Sequence, residues 1–353
     1  MKRRHSPRSE SAPVQAKLRS RREILSALAL GLSPLSCLDR SGFGGGSGGF
    51  PGSGGFPGSG GFPGSGGLGS GGIPGSGGAP GSGGAPGTGG TGTGGIAGYP
   101  LKRDASDLVE LGSTGIKISR LAMGSGTHGN NGASDQTRMG PAFPNMLVSS
   151  YDRGITFWET ADQYGAHAQV KTAIEQVGRE NIVVMTKSHA TTQAEMDADM
   201  MRFMDELGTD YIDIMLLHNR QSATWTSDCE GAMEYLADAK QKGQIRAHGV
   251  SCHTLAALEL AADTPWVDVD LARINPFGLH MDADPATVIS VLERMKAAGK
   301  GVIGMKILGQ GDAIGRFDEA IAHAVNLSAI DGFTIGFTST DQLDEVRDKI
   351  SAV

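Results

Sequence analysis

From about Leu108 to the C-terminus, apolar runs of strand length alternate with helical stretches, and that alternation leaves few folds open. The strand candidates are RLAMGS, ITFWETA, IVVMTKS, YIDIMLLH, IRAHGVS, VDLARINPF, GVIGMKIL and GFTIGF. Between them run AHAQVKTAIEQVG, EMDADMMRFMDELG, CEGAMEYLADAKQKG, LAALELAAD, ATVISVLERMKAAGK and RFDEAIAHAVNLS, and TDQLDEVRDKISAV follows the last strand. Several of these stretches end in glycine, the residue that most readily takes the left-handed conformation closing a helix. Strands that are apolar throughout are covered on both faces, and helices joining them make the sheet parallel. Eight such units fit an α/β fold of the closed (β/α)8 TIM barrel type. A doubly wound open sheet is the alternative, but no GxGxxG follows an early strand. LVELGSTGIKIS, two short alternating runs about a glycine turn, predicts a β-hairpin ahead of the barrel. The barrel domain is therefore expected over residues 105–353.

The preceding residues are of another kind. Of the 55 glycines, most fall in residues 41–98, where FPGSGG recurs at Phe50, Phe56 and Phe62. The spacing breaks the Gly-every-third rule of collagen, and so little apolar surface cannot offset the backbone entropy of ordering. Residues 38–104 are expected to form a disordered Gly/Ser/Pro-rich linker, with residues 41–98 reaching about 40 Å as a flexible coil. Residues 1–37 read as an export signal. A basic start is followed by ILSALALGLSPLSC, too short to cross a bilayer as a helix and suited to a signal h-region. Ser20-Arg21-Arg22-Glu23-Ile24-Leu25 resembles the twin-arginine export motif. Cys37 stands where a lipoprotein's acceptor cysteine would, after small Ser36, although Pro34 takes a position where an aliphatic residue is usual. The expected location is the periplasmic face or cell envelope, with membrane contact only through a lipid anchor at Cys37. Cys37→Ser should then release the full-length protein from the membrane fraction; unchanged fractionation would count against the anchor. A net charge of −7 gives no electrostatic reason to expect nucleic acid. Three scattered cysteines support neither a disulfide framework, a metal site nor an iron–sulfur cluster.

In a barrel, chemistry gathers where the strands end. The second strand runs out into Glu159-Thr160-Ala161-Asp162-Gln163-Tyr164-Gly165, the third into Lys187-Ser188-His189 and the fourth into His218-Asn219-Arg220. A carboxylate, a tyrosine, a lysine and a histidine on adjacent strand ends form an acid–base set. Tyrosine is a poor proton donor at neutral pH, and a neighbouring ammonium is expected to lower its pKa. A carboxylate would keep that lysine charged, and a histidine could position a substrate oxygen.

LGSTGIKIS, FWETADQYG, VVMTKS, IDIMLLH, KGQIRAHGVS and MKILGQG occur in this order on the expected elements, and together they resemble the aldo-keto reductase family. MKILGQG leans to a bacterial subgroup whose seventh strand reads MKxLxxG. The resemblance implies a (β/α)8 barrel that reduces a small-molecule carbonyl substrate, an aldehyde or ketone, with NADP(H) or NAD(H). It implies Tyr164 as proton donor, Lys187 and His218 beside it, and Glu159 where the family carries aspartate, five positions before the tyrosine. On the cofactor side it implies Ser251 and Arg273 at the carboxamide, Lys306 and Leu308 from the MKxLxxG run, and Thr338, Ser339 and Thr340 at a phosphate. The departures are Cys252 for asparagine, Arg273 for glutamine and Met305 for the stacking aromatic. No Arg or Lys stands where the family reads the 2′-phosphate. The alternative is a catalytically weakened barrel serving as an envelope-tethered binding or structural module.

Overall fold

The computed structural model describes residues 103–353. The expected export signal and lipid-anchor cysteine, and the linker except for residues 103 and 104, lie outside the described residues.

Eight parallel strands close into a barrel: β3 (Leu121–Gly124), β4 (Phe157–Glu159), β5 (Val183–Ser188), β6 (Ile212–Arg220), β7 (Ile245–Cys252), β8 (Val269–Arg273), β9 (Gly301–Met305) and β10 (Gly332–Gly336). Closure comes from β10, which pairs with β9 on one side and β3 on the other. The expected hairpin is present as β1 (Leu108–Glu110) and β2 (Lys117–Ser119), antiparallel with Leu108 opposite Ser119.

Helices follow every barrel strand: α1 (Ala142–Tyr151), α2 (His167–Val177), α3 (Gln193–Leu207), α4 (Glu230–Gln241), α5 (Leu255–Asp263), α6 (Pro285–Ala297), α7 (Phe317–Asn326) and α8 (Thr340–Ser351). Helix α1 is not among the helical stretches the sequence marks, and two prolines stand at its start. Pro141 precedes the helix and Pro144 lies in its first turn, where a backbone N–H has no intrahelical acceptor to lose. Helix starts are set by side chains: Thr192 and Glu195 form a reciprocal capping box on α3, while Thr254, Asp284 and Ser339 cap α5, α6 and α8.

The apolar residues sort into two layers by strand parity. One cluster fills the barrel: Ala122, Phe157, Met185, Ile214, Leu216, Ala247, Val269, Leu271, Ile303 and Met305. The hairpin adds Leu111, Ile116 and Ile118 to it, so the N-terminal end of the barrel is plugged. A larger cluster, including Trp158, Val184, Met215, Val250 and Ala272, lies between strands and helices.

Buried polar groups enter this outer layer at Thr186, Asp213, His248 and Asp270. Asp270 is fully buried on β8, and its carboxyl group meets the Cys252 thiol but no nitrogen or oxygen partner among the described residues. Burial, with the charge of Asp282 adding to it, pushes its pKa up to about 8. The folded state then holds a proton that the unfolded chain gives up near pH 4, so stability falls as pH rises from there to about 8. Asp270→Asn, neutral at every pH, should melt higher than the wild type at pH 9 by at least about 2–4 °C, the shift from 1 kcal/mol in a domain of this size. Parallel melting curves for the two proteins from pH 5 to 9 would rule this account out.

Candidate active site

The inward alternation that fills the barrel continues one step further on several strands. Two residues beyond Phe157, Met185, Leu216, Gly249 and Leu271 stand Glu159, Lys187, His218, Ser251 and Arg273. The same spacing that buries the core thus sets five polar side chains as the uppermost layer of the barrel, at the C-terminal ends of adjacent strands.

Lys187 is completely buried and pairs with the Glu159 carboxylate, while its ammonium also donates to the Thr160 carbonyl at 2.7 Å. The second Glu159 oxygen accepts from Thr334 Oγ1 at 3.3 Å. The longer acid does reach the lysine, and Gly124 leaves it room: a Cβ there would lie 2.8 Å from Thr334 Oγ1 and 3.2 Å from Glu159 Oε2. Burial pulls the Lys187 pKa below that of a free lysine, and the Glu159 charge opposes it.

Tyr164 closes the 3₁₀ turn Asp162–Tyr164, which ends at Gly165 in the left-handed region with φ 65°. Its ring packs against two glycines of the loop after β3. A Cβ on Gly126 would fall 2.2 Å from Tyr164 Cε2, and one on Gly129 would fall 2.4 Å from Cδ1. The Lys187 ammonium sits 4.8 Å from the ring centroid. The expected lowering of the Tyr164 pKa is not what this arrangement produces. Burial, and then the Glu159 charge, push the phenol well above its ordinary value.

His218 meets the Tyr164 ring edge-on, with centroids 5.8 Å apart, and stacks with His189 at 4.6 Å. Burial first, then the Lys187 charge, push its pKa well below 6.5, so the imidazole is neutral at physiological pH. Its Nδ1 is buried with no hydrogen-bond partner among the described residues.

A cavity of about 120 Å³ opens beside these groups, walled by Gly124, Gly126, Glu159, Tyr164, Met305 and Lys306. Leu308, Gln310 and Gly311 continue the same wall. Lys306 has a left-handed backbone, φ 60°, held where Asn275 Nδ2 donates to its carbonyl at 3.1 Å. Burial, with Arg273 nearby, pushes its pKa down to about 8.

The other residues expected at a cofactor have partners of their own. Ser251 Oγ accepts from the Asn219 N–H at 3.0 Å, and Arg273 pairs with the Asp282 carboxylate from the loop after β8. Cys252 belongs to the layer between strands and helices rather than to the cavity. Ser339 Oγ accepts from Gln342 N at 3.3 Å, while Thr338 donates through its N–H and hydroxyl to Gln342 Oε1. Thr340 opens helix α8. Asp162, as expected of a loop residue, lies outside the central group and pairs with Arg202 of α3 at 2.7 Å. Thr334 and the glycines at 126 and 129 escaped the sequence reading. Thr334 is not at the last residue of its strand, and the glycines matter only through a ring brought to them by another loop.

A closed parallel barrel with a tyrosine, a lysine–carboxylate pair and a neutral histidine at its C-terminal mouth is a catalytic-type α/β barrel. The chain belongs to the aldo/keto reductase family, whose profile matches residues 121–329. It is 27% identical over 157 residues to a soybean (Glycine max) protein described as probable aldo-keto reductase 1, covering 40% of this chain and 44% of that one. It is 25% identical over 223 residues to the L-galactose dehydrogenase of Arabidopsis thaliana, covering 58% of this chain and 66% of that one. The chain thus spans between 44% and 66% of the length of these curated relatives. Among solved structures, a thermostable aldo-keto reductase in complex with the inhibitor epalrestat superposes with a TM-score of 0.57 at 21% identity, over 70% of this chain and 94% of that one. The holo form of an aldo-keto reductase from Bacillus halodurans gives 0.56 at 17%, over 69% and 90%. Identities this low speak for the fold alone.

Proposed function

We propose that the chain reduces a small aldehyde or ketone with hydride from NADPH or NADH, Tyr164 giving the proton. The observation that carries this reading is the meeting of Tyr164, the Lys187–Glu159 pair and neutral His218 at the strand ends, with Tyr164 and Glu159 lining one cavity.

Each group has a distinct task. Tyr164 keeps its proton at rest, since burial and Glu159 disfavour the phenolate. As negative charge builds on the substrate oxygen, the phenol donates, and the Lys187 ammonium near its ring stabilises the phenolate left behind. Glu159 holds Lys187 in place through a direct hydrogen bond. Neutral His218 can donate one N–H to the same oxygen without adding charge. Gly126 and Gly129 press on the phenol ring and fix its plane.

The donor set fits a phosphorylated dinucleotide in part. Lys306 brings an ammonium to a cavity bordered by Gly124, Gly126 and Gly336, where backbone can approach a ligand closely. Leu308 would lie along it, with Thr338, Ser339 and Thr340 at the start of the 12-residue α8, a place suited to a phosphate. Ser251 and Arg273 would hold the nicotinamide end. When bound, that group supplies the hydride. The partners already held by Ser251 and Arg273 favour a second reading, a barrel that binds without catalysing. Titrating the full-length protein with NADPH and with NADH, followed by protein fluorescence, separates the two. Saturable binding is expected; no binding of either nucleotide at millimolar levels would sink the reductase reading.

A further inference from the structure

Asp162, His167 and Glu206 bring ligand-type atoms within 4.8 Å of one another, the spacing of a small metal site. The guanidinium of Arg202 already supplies the cation. Its Nη1 donates to Asp162 Oδ1 at 2.7 Å and to Glu206 Oε1 at 3.2 Å, and its Nη2 donates to Asp199 Oδ1 at 2.7 Å. One oxygen of each of three carboxylates is already turned to this guanidinium, so the cluster is built around Arg202.

The bonds continue from this hub into the site. The other Asp199 oxygen accepts from the Ser188 hydroxyl. The other Glu206 oxygen meets His167 Nδ1 at 2.8 Å, and His167 Nε2 meets Thr186 Oγ1 at 2.8 Å. Thr186 and Ser188 are the two neighbours of Lys187 on β5. Asp162 opens the 3₁₀ turn that ends at Tyr164. One arginine on α3 therefore grips both the turn that carries the phenol and the strand segment that carries the ammonium.

We infer that Arg202 is a positioning residue, setting Tyr164 against Lys187 through Asp162 on one side and through Asp199 and Glu206 on the other. It touches neither the phenol nor Lys187. An isolated pair as exposed as Arg202 and Asp162, 41% and 34%, would contribute little to stability. A guanidinium shared among three carboxylates instead fixes geometry, because its fork matches several acceptors at once. Small displacements of reacting groups are costly: about 1 Å can lower turnover 10²-fold.

The inference rests on the reductase activity proposed above. The test compares the full-length wild type with Arg202→Gln, Arg202→Lys and Asp162→Asn, using NADPH and 4-nitrobenzaldehyde. R202Q is expected to lower kcat about tenfold or more while leaving the NADPH dissociation constant within about twofold. R202K should recover part of that loss, since a lysine cannot bridge three carboxylates. The decisive measurement is R202Q in a Tyr164→Phe background, where a residue acting through the phenol should cost residual turnover nothing further. A wild-type-like kcat for R202Q, or a full repeat of its loss without the phenol, overturns the inference. If R202Q fails to fold, D162N removes only the negative charge at the turn and is judged by the same two outcomes. A wild type that binds cofactor but turns over no aldehyde removes the reductase activity, and the positioning role with it.

Discussion

Tyr164→Phe is expected to lower carbonyl reduction by about 10²–10⁴-fold, the usual contribution of a positioned proton donor. The substitution removes one oxygen and keeps the ring, so the packing on Gly126 and Gly129 should survive. Lys187, Glu159 and His218 keep their partners, and the dissociation constants for NADPH and NADH should stay within about twofold. Single-turnover reduction and a fluorescence titration of the same variant test the two halves separately. The raised phenol pKa adds a sign. The protonated form, the one that donates, persists well above pH 10, so activity should show no loss near neutrality from ionisation of Tyr164. Full turnover by the variant would mean that the proton comes from another group, with His218 and Lys187 the ones to examine.

The largest effect on stability is expected at Lys187. Changing it to methionine keeps the unbranched apolar stem and removes the cation, leaving Glu159 buried without that partner. Breaking a buried pair in this way typically costs about 3–5 kcal/mol. In a domain of this size each kcal/mol lowers the melting temperature by about 2–4 °C. Adding Glu159→Gln to Lys187→Met should return much of that stability, since no buried charge is then left uncompensated. It should return none of the activity. Chemical denaturation of the single and double variants decides the point: equal losses in both would show that Lys187 matters for its packing rather than its charge.

Much of this architecture was legible in the sequence. All eight barrel strands were marked by apolar runs, because a strand covered on both faces must be apolar throughout. Glu159, Lys187 and His218 could be found by asking where those runs turn polar, and a period of two brings them into one layer. Three things were out of reach. Helix α1 has prolines at its start, and their position there cannot be known before the helix is. The direction of the Tyr164 shift depends on burial first and then on the Glu159 charge, and burial is not written in residue spacing. The partners of Ser251 and Arg273 arrive from other loops: Asp282 comes nine residues along the chain from Arg273, and Asn219 comes from a neighbouring strand.

The hairpin that plugs the barrel also gives the domain a front and a back. Arg103 donates to the Val325 carbonyl, and the Asp104 carboxylate accepts from Ser351 at 3.4 Å, both at the C-terminal ends of helices. In a (β/α)8 barrel helices run antiparallel to the strands, so these contacts lie at the plugged end. The chain leading into the domain therefore joins it at the pole opposite Tyr164. A surface or fusion partner attached directly at Arg103 would sit away from the mouth that holds Tyr164.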